Sequence, residues 1–229
     1  MPNFMFQKFN EYYLKARVFP ALITAIPFVL LKHNLLDQHF DFSLTQLIFG
    51  DVSILIVLIY LFSQLNRYIS KSIFENKTDF PTDRNLLPSN PTLSQQYRAQ
   101  LAQKILKDFG LELPNLEDEE NDYASTKIRI REIVNLIINK TRNGHLLLQH
   151  NIEYGFVRNF LGGSAVASLM SIFNILLFFI QSKYDLAIIS IILLVIYASI
   201  IAMHKKILEH YGKEYAQILF REYLGAKQK

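Results

Sequence analysis

The chain has 229 residues and neither cysteine nor tryptophan, which excludes a disulfide framework, a thiolate metal site and a cysteine nucleophile. Its net charge of +4 would suit a nucleic-acid surface in a soluble protein, but it equally suits the Lys and Arg excess of cytoplasmic loops. The hydrophobic content of 51% decides little by itself; the apolar residues fall in blocks near the two ends, and that distribution points to a membrane protein.

The N-terminal stretch MPNFMFQKFNEYYLKARVF carries aromatics where a signal peptide has its basic region, and no small-residue cleavage site follows. The first apolar segment runs from Val18 to Leu31, extended backwards by Tyr12, Tyr13 and Leu14. Lys15 and Arg17 are placed to snorkel to headgroups, and Pro20 and Pro27 predict a kink. The second segment, Leu44 to Phe62, contains two polar positions, Gln46 and Asp51. An ionisable residue inside a span is a functional candidate by default. Asp51 also lies about one turn from the outer end, counted back from Arg67, and so equally reads as interfacial.

A different composition follows over residues 65–160. SQLNRYISKSIFEN continues the second helix, and DFPTDRNLLPSNP, with three prolines, reads as an ordered loop. Asn90 is placed to cap a helix with Pro91 at its first position. Leu93, Tyr97, Leu101, Ile105 and Phe109 then recur at four-residue spacing, and Gly110 is the stop. The acidic run LEDEEND reads as a solvated loop or helix start. Ile130, Ile133, Val134, Ile137 and Ile138 mark the face of a second amphipathic helix. HLLLQHNIEYGFVRNF leads straight into the third apolar segment, Leu161 to Ile180, and five residues separate that from the fourth, Leu186 to Met203.

Lys and Arg number three before the first segment, one in the turn after it, thirteen in the middle region, one in the second turn and six after the fourth segment. The positive-inside rule places the middle region and both termini in the cytoplasm and the two turns outside. The predicted fold class is therefore an all-α integral membrane protein, with two transmembrane helical hairpins and a cytoplasmic helical bundle inserted between them. Its parts are the tail and first hairpin (1–64), the bundle (65–160), the second hairpin (161–203) and a cytoplasmic C-terminal tail (204–229).

The third segment opens with small residues, and Gly163, Ala167 and Ser171 repeat at four-residue spacing, letting another helix approach closely. That helix belongs either to the same chain or to a second copy. Asn174 reads as interhelical glue or as part of a polar interior with Gln46 and Asp51. No Gly-rich phosphate loop, G-x-S-x-G elbow or H-E-x-x-H pair is present, so no catalytic residue, cofactor or metal ligand is expected.

Two clusters sit at the inner edge of the membrane segments, Phe80-Pro81-Thr82-Asp83-Arg84 and His150 to Asn159. A PT-x-R loop followed by YGF-x-RN at the start of a membrane helix resembles an uncharacterised family of bacterial four-helix membrane proteins. The resemblance implies the topology just described and brings no mechanism. It directs attention to Arg84, Tyr154, Arg158 and Asn159. With Asn151 these would form a pocket for a small anionic ligand, Arg supplying a planar donor fork; the structural alternative pairs Arg158 with lipid headgroups and Arg84 with Asp83 or Glu153. The layout is also similar to membrane effectors of bacterial anti-phage systems, an analogy of architecture. The expected protein is a bacterial inner-membrane homo-oligomer. Its cytoplasmic domain answers a ligand or protein partner and alters membrane permeability; the alternative is a non-conducting scaffold that recruits a cytosolic protein. Its other partner is the lipid bilayer, and direct nucleic-acid binding is not expected.

Overall fold

The structure is a computed structural model that describes residues 11–36, 44–74, 80–141 and 144–225; the side chains of residues 36, 44–55 and 145 lie outside the description. Among the described residues every regular element is helical. In chain order the helices are α1 (Phe19–Thr24), α2 (Ile26–Leu36), α3 (Leu44–Ile69), α4 (Pro81–Leu86), α5 (Gln95–Phe109), α6 (Leu116–Asn121), α7 (Tyr123–Thr141), α8 (His145–Ile180), α9 (Tyr184–Ala202) and α10 (His204–Gly225). The chain divides into two compact units, Met1–Glu75 with Gly155–Ile207, and Asn76–Tyr154 with Leu208–Lys229.

In the first unit, α8 and α9 are each long and apolar enough to cross a membrane, and the bent pair of α1 and α2 makes a third candidate if taken as one span. α3 is 26 residues long, but the side chains of its first half fall outside the description. Gln46 and Asp51 are among them, so neither polar candidate is placed beyond its position on the helix. The bend between α1 and α2 is 42°. Its cause is proline chemistry: Pro20 and Pro27 have no N–H to give the carbonyls of Ala16 and Ile23, four residues back. The π-helical turn Leu14–Val18 precedes Pro20 and widens the backbone where the ring would press on the previous turn.

This unit is built inside out relative to a soluble domain. Thr24, Asn34, Ser63, Asn66, Ser70, Asn159, Ser164, Ser171, Asn174 and Ser190 are all buried. Large apolar side chains point outward instead: Leu169 is 71% exposed, Phe173 52% and Val195 58%. In water such a surface would be far larger than any monomer tolerates. In hydrocarbon it is the expected one, with polar groups turned to one another.

The second unit is built the ordinary way. Leu86, Leu87, Leu101, Ile105, Ile130, Ile133, Val134 and Ile137 form its core, so the α5 and α7 faces read from spacing do turn inward. Two local expectations change. Within the C-terminal segment read as a tail, α10 spans 22 residues and puts Ala216, Leu219, Phe220 and Tyr223 into the same core. Burial and the Asp108 carboxylate push the Tyr223 phenol above its ordinary range. Asn90 does not cap a helix, because its Oδ1 accepts from Thr92 N at 2.8 Å in a local turn. The cap of α5 is Ser94, which accepts from Tyr97 N. The acidic run is ordered as α6 behind an Asn115–Asp118 capping box. Its Glu119 is buried and accepts from Ser89 N and Ser89 Oγ at 2.8 and 2.6 Å.

Arg98, which spacing alone did not single out, fastens the proline-rich loop. Its guanidinium donates to the carbonyls of Leu86 (2.8 Å) and Leu87. Burial lowers its pKa and the Glu119 carboxylate draws it back up. Arg98→Ala strands these partly buried carbonyls, so a loss of about 2 kcal/mol is expected. A thermal melt of the purified protein measures it, with Arg98→Lys recovering little because a point charge lacks the fork.

Candidate functional site

The prolines of the first unit create a specific demand. A carbonyl whose helical partner is missing, inside hydrocarbon, needs another donor, since no bulk water reaches it. Three side chains from distant parts of the chain supply donors to the bent helix. Asn159 Nδ2 donates to Ala16 O at 2.6 Å, the carbonyl that Pro20 cannot serve. Tyr197 Oη donates to Ile23 O at 2.7 Å, the carbonyl that Pro27 cannot serve. Asn174 Nδ2 donates to Pro27 O at 2.7 Å, beyond the break.

A second layer links the bend to α3. Asn66 Nδ2 donates to Thr24 Oγ1 at 2.9 Å, and Thr24 Oγ1 donates on to Pro20 O at 2.8 Å. At the far end, Asn34 Nδ2 donates to Gln181 Oε1 at 2.8 Å and Lys183 Nζ donates to Asn34 Oδ1. The end of α2 and the turn between α8 and α9 are thereby joined. From Asn159 to Ile180 α8 rises about 32 Å at 1.5 Å per residue, close to the ~30 Å hydrocarbon thickness.

The small-residue stripe is spent within the chain. A methyl group on Gly163 would lie 2.5 Å from Thr24 Oγ1 and closer still to Asn66 Nδ2; one on Gly162 would meet the Asn66 carbonyl and sit 2.7 Å from Ser70 N. Ala167 and Ser171 are fully buried on the same stripe. Small residues let α8 press against α3 and the bend, and that approach brings Asn159 and Asn174 within reach of carbonyls.

No protein-family model matches the chain, and no curated protein or solved structure matches it either. Its functional reading therefore rests on its own geometry.

The proposed anion-pocket residues are distributed between the units. Arg84, Asn151 and Tyr154 belong to the second; Arg158 and Asn159 belong to the first. Arg84 stands 4.0 Å from Glu209, a partner neither sequence alternative named. The hydrogen bond and charge of Lys213, and then Arg84, hold the Glu209 carboxyl below its ordinary range. Asp83 pairs instead with Arg131 at 2.8 Å, and Glu153 accepts from Gln149 at 3.1 Å and lies 3.2 Å from His150. Tyr154 stacks on Tyr215 with ring centres 6.4 Å apart. Asn159 is fully buried with its amide committed to Ala16. Among the described residues no group of three His, Asp or Glu side chains gathers as a metal site.

Sequence reasoning missed Thr24, Asn66, Ser70 and Tyr197 as members of this polar interior. A signal existed for two of them. Asn66, near the end of α3, and Ser70, directly after it, are four apart, hence on one helical face. Nothing local marks Tyr197, whose partner lies 174 positions away.

Proposed function

We propose that the chain is a sensor–effector of a bacterial inner membrane. It acts as a homo-oligomer with four spans, both hairpin turns outside and the second unit in the cytoplasm. The second unit answers a ligand or protein partner, and the first changes the permeability of the bilayer. The observation that carries this reading is the jointed polar interior of the first unit. A plain anchor needs no proline-broken helix, and here three carbonyls of that helix are held by side chains from α8 and α9. Such bonds break singly at modest cost, each worth about 1 kcal/mol in membranes, so the bend is poised to rearrange. α8 supplies a route of control, since it runs unbroken from His145 to Ile180 and its first turns belong to the cytoplasmic unit.

The scaffold alternative has its own support. Ile128 is 62% exposed and Leu106, Leu111 and Leu116 are exposed on the second unit, as a protein-binding surface requires. Dye release from liposomes carrying the purified full chain separates the two readings. For the effector, the unmodified protein is expected to hold dye, and Asn174→Ala with Tyr197→Phe to release it. Tight liposomes for both, with a cytosolic protein copurifying, favour the scaffold.

A further inference from the structure

The second unit carries an open groove of about 770 Å³, within the range of clefts that hold ligands. The proline-rich loop, the first two turns of α5 and the chain leading into α6 form its walls. Pro88, Pro91, Leu93, Ala102, Leu113 and Leu116 give it an apolar lining. Leu93 and Leu113 rest on the core, whereas Leu116, the first residue of α6, is 51% exposed. The polar side chains that reach the groove are nearly all committed elsewhere. Ser94 caps α5, Asn90 and Asn115 hold local turns, and Ser89 donates to Glu119. Arg98 gives its guanidinium to the carbonyls of Leu86 and Leu87. A nucleotide, sugar or phosphate needs several convergent donors, and this lining has already spent them. Its occupant is recognised by apolar contact.

Charge around the groove has one sign. Residues 110–126 include Glu112, Glu117, Asp118, Glu119, Glu120 and Asp122 and neither Lys nor Arg, and residues 88–95 on the other wall carry no charge. Two of these carboxylates are answered within the chain: Glu119 accepts from Ser89, and Asp118 lies 3.9 Å from Arg129. Glu112 and Glu117 directly bracket the lining residues 113–116. Both are exposed, as is Glu120, and among the described residues none of the three makes an ion pair. Carboxylates at such a rim are repelled by an anionic leaflet. They match apolar side chains that have Lys or Arg beside them.

We propose that this groove docks a segment of a partner protein. The segment lays a short run of apolar side chains over Leu93, Leu113 and Leu116 and sets Lys or Arg against Glu112, Glu117 and Glu120. The apolar contact supplies the affinity, and the rim charges supply the choice of partner and the rate of encounter. The inference rests on the reading in which the second unit answers a protein partner, and it names by chemistry what that partner presents. It serves the effector and the scaffold alike.

A displayed library of random peptides, selected on the full chain in nanodiscs, is the probe. Enriched peptides are expected to combine apolar residues with Lys or Arg, and their affinity, read by fluorescence anisotropy, to fall as salt rises. Leu116→Ser removes one exposed leucine and leaves the core alone; it is expected to weaken binding about tenfold. Glu112→Gln with Glu117→Gln is expected to weaken it about threefold and to flatten the salt dependence. Ile128→Ser, at an exposed position on α7 outside the groove, is expected to change nothing. An empty selection overturns the docking site, as do enriched peptides that are acidic or that bind the Leu116→Ser protein as tightly as wild type. Loss with Ile128→Ser alone also overturns it and moves the surface to α7. Self-association that Leu116→Ser abolishes would give the groove to a second copy. Quenching of a fluorophore on Leu116→Cys by doxyl-labelled lipid would give it to the bilayer, and either result overturns the proposal. Dye release keeps this test apart from the functional reading. Groove-dependent binding with dye retained supports the docking site and favours the scaffold. Liposomes that leak without groove-dependent binding overturn the site and leave the effector reading standing.

Discussion

Tyr197→Phe is expected to destabilise the first unit, and Pro27→Ala is expected to return much of the loss. The phenol hydroxyl is the donor that Ile23 O receives in place of the absent Pro27 N–H. Removing one oxygen atom leaves the ring packed and takes the side-chain donor from a part-buried carbonyl, at a cost of about 1–3 kcal/mol. Alanine at position 27 restores a backbone N–H four residues along, so the carbonyl recovers a helical partner. Asn159→Ala with Pro20→Ala is the same pair one layer inward, through Ala16 O. Denaturation in mixed detergent micelles, run as a double-mutant cycle, measures both. Coupling of about 1 kcal/mol or more between tyrosine and proline is expected. Effects that add within about 0.3–0.5 kcal/mol would show that the two residues act independently.

The other large effect belongs to Gly162. Its added methyl meets backbone at the Asn66 carbonyl of α3 and at Ser70 N directly after it, and also the Ser70 Cβ. Backbone atoms cannot swing aside as a long side chain does, so α3 must move away from α8 as a whole. Overpacking of this kind costs about 1–3 kcal/mol, and loss of the Asn66–Thr24 bond adds to it. Gly162→Ala is therefore expected to lower the unfolding midpoint more than any other glycine-to-alanine change in the first unit. Gly110→Ala is the useful contrast in the second unit. It has open space around it but a φ of +66°, so only backbone strain of about 1 kcal/mol applies. A Gly162→Ala protein as stable as wild type would mean that α3 and α8 do not meet as described.

Much of this was legible from residues alone. Leu161 to Ile180 and Leu186 to Met203 read as apolar helices; α8 covers the first and α9 the second up to Ala202. Leu101, Ile105, Ile130, Ile133, Val134 and Ile137 read as inward faces and are buried. Periodicity carries such facts because it is local. The C-terminal helix was missed although its register was present: Gly212, Ala216, Leu219, Phe220 and Tyr223 lie on one face. Its place after the last apolar segment and the six Lys and Arg of that stretch made it read as a cytoplasmic tail.

The site was harder to read for a different reason. Pro20 and Pro27 announced two unserved carbonyls, but nothing in the chain says which donors answer them. Asn159 appeared as a ligand-binding candidate because it closes the YGF-x-RN motif. Its amide instead serves Ala16 across 143 positions. Asn174 was read as interhelical glue or as part of a polar interior, and it donates to the bent helix. Arg98 illustrates the same limit in the second unit: a charged residue on an amphipathic helix looks solvated until the loop it clamps is in place.

The most direct test of the whole arrangement is the sidedness of single cysteines in living cells, labelled with a membrane-impermeant maleimide. Ser182→Cys lies in the turn between α8 and α9, and Ser94→Cys caps α5 in the second unit. Labelling of position 182 in intact cells, with position 94 labelled only after the cells are opened, is the expected result. Labelling of position 94 in intact cells, or of neither position before lysis, would contradict the proposed topology.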